Sequence, residues 1–429
     1  MILPRSPALF LLLAAAVVLL PFGRLVEIPL GMLSLIGVVL LWQQPRLLAE
    51  PGVPRRALLW LYLAFALPML LSLPGAVEVG KSLRTTVGSL RFGALAAGML
   101  GLYVLARDRT GWQQAVLAGL GLVTALVVGA WCLDALLQAS TGRNVLGYGL
   151  GEGYVNGVFG EDDNIKLGMT VALLMPLAAV HALRSWPMAA ALALLCLMLA
   201  AVVLSGKRSA WVIAIVELLA LAAYCFVRGH LGMRRVLLVG TSTAIVLGAA
   251  FLGSDWVHDR SVVLVEAVEN PDYEALNRAS GRRLPIWSTA LRMGADNWLN
   301  GVGARGLRYA YDDYAASGDE WAQPLADGRP GTRASHAHQL LLDLFSESGI
   351  FGLLGYLAIV AVLLRLWHDG SAAARSRALP FGLALCGMLF PINTHPAWYS
   401  SWSSSLLWLF IGLYLLALCD EPAPAEQSP

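Results

Sequence analysis

The chain has 429 residues, 58% of them hydrophobic and 14% charged, with a formal net charge of +2. Soluble globular domains carry roughly a quarter charged residues, so this composition excludes an ordinary soluble enzyme and points to a polytopic membrane protein. No nucleic-acid partner is expected.

In chain order, apolar runs long enough to span a bilayer lie near residues 8–22, 25–42, 57–73, 89–106, 114–137, 167–183, 187–205, 209–227, 236–253, 349–366, 378–393 and 403–419, about twelve in all. The first lies behind Arg5 without a small-residue cleavage site and is read as a retained helix rather than a signal peptide. Many tryptophans, among them Trp42, Trp60, Trp112, Trp186, Trp211, Trp256 and Trp402, fall near run ends, as interfacial anchors do. The cysteines Cys132, Cys196, Cys225, Cys386 and Cys419 sit inside or at the end of apolar runs and read as small buried hydrophobes.

Placing both termini in the cytoplasm puts Arg46, Arg55, Arg56, Arg107, Arg109, Arg184, Arg228, Arg234, Arg235, Arg365, Arg375 and Arg377 inside, as the positive-inside rule requires. Residues 254–348 then lie outside. So do Lys81, Arg84, Arg91, Arg143, Lys166, Lys207 and Arg208, which the rule disfavours in short outer loops. Snorkelling beside Glu78, Glu152 or Glu161 accounts for any one of them. For the whole set, an anionic ligand at the outer surface is the better account, since guanidinium forks suit phosphate oxygens. The run Glu161-Asp162-Asp163-Asn164 reads as a solvated helix start, because no histidine or spaced carboxylate completes a metal site.

Residues 254–348 look folded. Asn270-Pro271-Asp272 reads as a helix start, and Leu284-Pro285 opens a helix through Ala295. Trp298, Tyr309, Tyr311, Tyr314 and Trp321 could stack on sugar rings or simply pack the loop. Gly301-Val302-Gly303-Ala304-Arg305-Gly306 matches a dinucleotide fingerprint, but no strand precedes it and no βαβ pattern exists. It reads as a tight turn, with a backbone nest on a phosphate as the alternative.

Ser335 or Thr332 is expected to cap a helix running through Leu340, Leu341, Leu344 and Phe345 to an end near Gly349. His336 and His338 would stand at its start on different faces, against joint metal ligation. The helix dipole and nearby arginines keep such an imidazole neutral and ready to take a proton. A neutral base beside fixed cations suits transfer from a phosphate-linked donor: the base deprotonates a hydroxyl while the cations hold the departing charge. The chain has no P-loop, so the bond energy must arrive with the donor. The acidic, proline-rich tail 420–429 reads as a disordered cytoplasmic segment.

Gly281-Arg282-Arg283-Leu284-Pro285-Ile286-Trp287, Asn300-Gly301-Val302-Gly303, His336-Ala337-His338-Gln339 and Glu347-Ser348-Gly349-Ile350-Phe351-Gly352 together resemble the O-antigen ligase and polymerase superfamily. Ser205-Gly206-Lys207-Arg208-Ser209 and the stretch 160–168 add to the likeness. The resemblance implies an all-α membrane glycosyltransferase of GT-C-like architecture: helices over 1–253, a periplasmic loop domain over 254–348, and helices again over 349–419. It implies a multi-pass protein of the bacterial inner membrane with its site facing the periplasm. The donor would be O-antigen on undecaprenyl pyrophosphate and the acceptor lipid A-core, joined with inversion and without cofactor or metal. Carried over residue by residue, His338 would be the base, with Arg208 and Arg283 as the essential arginines. Lys81, Arg84, Lys207 and Arg282 would contact the donor pyrophosphate, and His336 would support the loop or the acceptor. Gln339 stands where the family often has Asn. A polymerase or a protein O-oligosaccharyltransferase would use the same donor. A transporter fits less well, since mid-span ionisable groups are few (Asp134 and Glu217) and the long loop has no counterpart in the first half.

Overall fold

The computed structural model describes residues 7–150, 154–160, 166–227, 248, 255–325, 331–394 and 397–419. Among these the chain is helical, with two isolated bridges and no strand. The helices are α1 (Ala8–Leu19), α2 (Glu27–Gln43), α3 (Arg55–Leu71), α4 (Val79–Gly88), α5 (Leu90–Ala106), α6 (Trp112–Thr141), α7 (Leu167–Ser185), α8 (Met188–Leu204) and α9 (Arg208–Val227). After them come α10 (Asp255–Glu269), α11 (Tyr273–Ser280), α12 (Leu284–Asp296), α13 (Leu307–Tyr314), α14 (Leu340–Asp369), α15 (Ala372–Leu389) and α16 (Ser401–Leu418).

Among the described residues, 7 segments are long and apolar enough to cross a membrane, which makes this a multi-pass membrane protein. The first of them, Ala8–Gln43, contains two of the expected runs, joined by the 3-10 turn Leu20–Val26. Met188–Leu204 is apolar but shorter. Ala372–Leu389 falls outside the set because Arg375 and Arg377 in its first turns lower its mean hydropathy. The expected span at 236–253 and the tail at 420–429 lie outside the described residues.

Apolar side chains such as Ile28, Leu35, Leu63, Leu126 and Leu357 are exposed along helix faces, where lipid rather than water covers them. On the inward faces, α3, α5 and α16 meet in an aromatic core. Trp408 is fully buried there, its ring 5.7 Å from that of Phe65 and 5.9 Å from that of Tyr62. The loop after α6 is stitched back onto that helix: the buried Gln138 accepts from the backbone N–H of Asn156 and of Gly157, and Asp134 accepts from Val145. Every polar group that leaves the helix pattern at depth needs such a partner.

Helices α12 and α13 enclose a separate apolar core of Ile286, Ala290, Met293, Val302, Leu307 and Tyr311, which Leu342 of α14 closes. Tyr311 is thereby fully buried and donates to Asp319, so it packs this unit rather than offering a face to a sugar. Asp272 caps α11 by accepting from Ala275 N–H, which places the helix start beyond Pro271 instead of on it.

Candidate active site

The loop unit and the helices meet at an interlock of backbone on backbone. Residue Gly349 lies at φ 58°, ψ −148° inside α14, a conformation open essentially to glycine alone, and bends the helix there. The expected helix end at Gly349 is thus a kink, and the helix runs on to Asp369. The carbonyls released by the kink find other partners: Val302 N–H donates to Ser346 O and Gly303 N–H to Glu347 O, while Ile350 N–H turns to Trp298 O. A side chain on Gly301 would run into the backbone of Glu347 and Ser348, and one on Gly349 into that of Leu299. The Gly301–Gly306 stretch is therefore a tight turn seated on α14.

This interlock sets the direction of the first turns of α14 and so of the histidine loop before them. The helix begins at Leu340, later than the sequence suggested. Gln339 is its N-cap: its side-chain oxygen accepts from Leu342 N–H at 2.6 Å, while its amide nitrogen donates to Pro391 O at 2.9 Å. Neither Ser335 nor Thr332 has that role. His336 and His338 therefore lie in the loop, and their rings lie against each other, tilted by 40° with centroids 3.7 Å apart, a closeness that placement on different helix faces would have forbidden. Ser335 Oγ lies 2.8 Å from His336 Nδ1. His338 sits at φ 51°, a left-handed backbone that favours glycine and that surrounding contacts must enforce.

Those contacts come chiefly from Asp343, which is buried in the first turn of α14. Its two oxygens accept from Ala337 N–H, between the histidines, at 3.0 Å and from Trp398 N–H at 2.9 Å. Leu340 N–H bonds to Asn393 O, so the loop is also fastened to the segment after α15.

The cations that broke the charge rule do not converge on one point. Arg283 is largely buried and donates to Thr394 O at 3.2 Å, in the same segment that holds Gln339 and Leu340. Burial and the neighbouring Arg208 guanidinium push Arg283 down to about 10, still cationic at neutral pH. Arg208 donates to Ala279 O and lies against the Gly281 turn, where an added side-chain carbon would come within 3.0 Å of it. Arg282 points away: it is exposed and pairs with Glu320 at 3.5 Å. Of the two adjacent arginines, Arg283 faces the histidine loop.

Lys207 lies over the Tyr154 ring at 4.6 Å, and Lys166 over that of Trp402 at 5.7 Å, with burial lowering the Lys166 ammonium. Arg91 pairs with Glu27 at 3.1 Å and donates to Ser401, a structural role. Lys81 lies in the field of Arg84, and also of Arg305 and Arg308, two cations that the sequence reading passed over. Their signal was the GxG turn itself, which carries Arg305 at φ 63°. The three non-glycine residues with positive φ among the described residues are Arg282, Arg305 and His338, all beside this site.

Among the described residues, no three His, Cys, Asp or Glu side chains group at metal-ligating spacing, and the acidic run 161–164 lies outside them. The arrangement offers an imidazole pair in an enforced backbone, a partly buried pair of neighbouring arginines and a separate group of cations. A comparison with curated proteins returned no match. A protein-family model described as O-antigen ligase matches residues 168–357, a stretch that runs from α7 through the loop unit to the kinked α14.

Proposed function

From the premise that residues 168–357 belong to the O-antigen ligase family, a family of glycan-transferring membrane enzymes, we propose that this protein moves O-antigen from undecaprenyl pyrophosphate to a lipid A-core hydroxyl. The observation that carries the reading is the partly buried Arg283, neighboured by Arg208 and fastened through Thr394 to the same 391–394 segment that holds the His338 loop. A base and a pyrophosphate clamp are thereby fixed relative to each other, and such positioning is where most of the acceleration of a two-substrate transfer comes from.

In the proposed step His338 takes the proton from the acceptor hydroxyl. The oxygen forms a new bond to the anomeric carbon as the bond from that carbon to the pyrophosphate oxygen breaks. The electron pair leaves with undecaprenyl pyrophosphate, whose added charge falls to Arg208 and Arg283. Attack opposite the leaving group inverts the anomeric centre. His336, stacked on His338 and bonded to Ser335, supports the base. The transfer takes place at the periplasmic face of the inner membrane, with 254–348 as the loop domain between the two sets of spans. No metal takes part.

The test is transfer by the purified protein in detergent, with EDTA, a lipid pyrophosphate-linked glycan and lipid A-core. The expected result is a core band of higher mass, lost in His338→Ala while the variant stays folded. Near-normal transfer by that variant would remove His338 from its role. Lengthening of the lipid-linked glycan without any core shift would make the protein a polymerase.

A further inference from the structure

The start of α4 and the segment before it dock onto the Gly301–Arg305 turn: Val77 N–H donates to Val302 O at 3.0 Å and Ser82 Oγ to Ala304 O at 3.1 Å. This junction brings Lys81 and Arg84 from one element to Arg305 and Arg308 from another, and Lys81 lies in the field of all three guanidiniums. Two carboxylates are near. Glu347 accepts from Arg305 N–H at 2.8 Å through one oxygen, and Asp343 spends both oxygens on Ala337 and Trp398. Lys81, Arg84 and Arg305 form no ion pair with any described carboxylate. Arg305 Nη1 is buried with no hydrogen-bond partner among the described residues. Like charges gathered in this way repel, and an anion that accepts from several of them at once offsets the repulsion.

The position of this group is as informative as its charge. Asp343, which holds Ala337 between the histidines, lies in the field of Arg305. On the far side of the loop, Gln339 and Leu340 bond to the 391–393 stretch that leads to Thr394 and Arg283. The histidine loop is thus linked through Asp343 to the Arg305 group and through Gln339 and Leu340 to the segment that holds Arg283. Resting on the transfer reading above, we propose that Lys81, Arg84, Arg305 and Arg308 form a second anion site, for a lipid-borne phosphate, that holds the acceptor while Arg208 and Arg283 hold the donor. A base between two substrates, each anchored by its own phosphate, needs no movement of either lipid to bring hydroxyl and anomeric carbon together.

The experiment titrates the full-length protein in detergent with lipid A-core, phosphates intact or removed by phosphatase, and separately with the lipid pyrophosphate-linked donor. Wild type is expected to bind the intact acceptor roughly tenfold more tightly than the treated one. Arg305→Gln and Lys81→Gln should erase that difference while leaving donor affinity within about twofold, and Arg283→Gln should do the reverse. Lys81→Gln guards against a folding defect at Arg305, whose backbone is strained. Equal binding of the two acceptors by wild type overturns the proposal. So does loss of donor affinity in Arg305→Gln to the extent seen in Arg283→Gln, which would make the four cations an extension of the donor site. The readout is binding, so an absence of transfer by wild type counts against the ligase reading alone.

Discussion

Asp343 is the residue whose loss should most clearly separate the histidine loop from its support. It is 1% exposed, and its oxygens accept from Ala337 N–H at 3.0 Å and Trp398 N–H at 2.9 Å. Asp343→Ala leaves both donors buried without an acceptor, at about 1–3 kcal/mol each, so about 2–6 kcal/mol in total. Asp343→Asn keeps one acceptor oxygen and turns an amide nitrogen towards the other donor, so about half that loss is expected. Both substitutions loosen the left-handed backbone at His338, and a misplacement of about 1 Å at a catalytic group costs on the order of a hundredfold in rate. Thermal unfolding in detergent, with transfer measured below the transition, checks both quantities. The order wild type, Asn, Ala is expected in each, with kcat falling more than KM rises. An Ala variant that unfolds at the wild-type temperature, or that melts early yet transfers at the wild-type rate when folded, would refute the role of Asp343 as the strut of the loop.

Gly349→Ala forces a side chain into the Leu299 backbone at a conformation costing about 1–3 kcal/mol by itself, so a loss of about 2–4 kcal/mol in unfolding free energy is expected. An unchanged melting temperature would show that the kink tolerates a Cβ. Arg283→Lys should shift the pH profile. Burial and Arg208 hold the arginine near 10, and a lysine, starting about two pH units lower, would be pressed by the same surroundings towards neutral pH. The charged form lies below the pKa, so donor binding by the lysine variant should fade as pH rises from neutral into the alkaline range while wild type holds its affinity; parallel profiles would speak against the pyrophosphate role. Arg282→Ala removes only an exposed pair with Glu320, worth about 0–1 kcal/mol, and donor affinity should stay within about twofold of wild type; a larger loss would return Arg282 to the site.

Much of this was legible in the chain because the signals are local. The apolar runs, the GxG turn and the doubled arginine all stand out by spacing or composition. What was not legible depends on pairings far apart in sequence. Ser335 looked like the better helix cap by residue preference, but Gln339 holds the position because its amide also reaches Pro391. The helix was expected to stop at Gly349, where instead the Trp298–Gly303 backbone takes over the broken hydrogen bonds. Nothing near Asp343 in sequence announces Trp398 as its second partner. Arg305 was hidden inside a turn read only for its glycines, and Arg308 in the short helix that follows it.

The interlock between the Trp298–Gly303 turn and the Gly349 kink also bears on exchanging parts between relatives. Its hydrogen bonds run from main chain to main chain, so they do not depend on which side chains the bonded residues carry, provided neither Gly301 nor Gly349 gains one. A graft that ends at 348, taken from a protein with another sugar preference, would keep the Val302–Ser346 and Gly303–Glu347 bonds but leave behind the kink glycine and the Ile350–Trp298 bond. Chimeras that move 254–352 as one block keep the whole joint together.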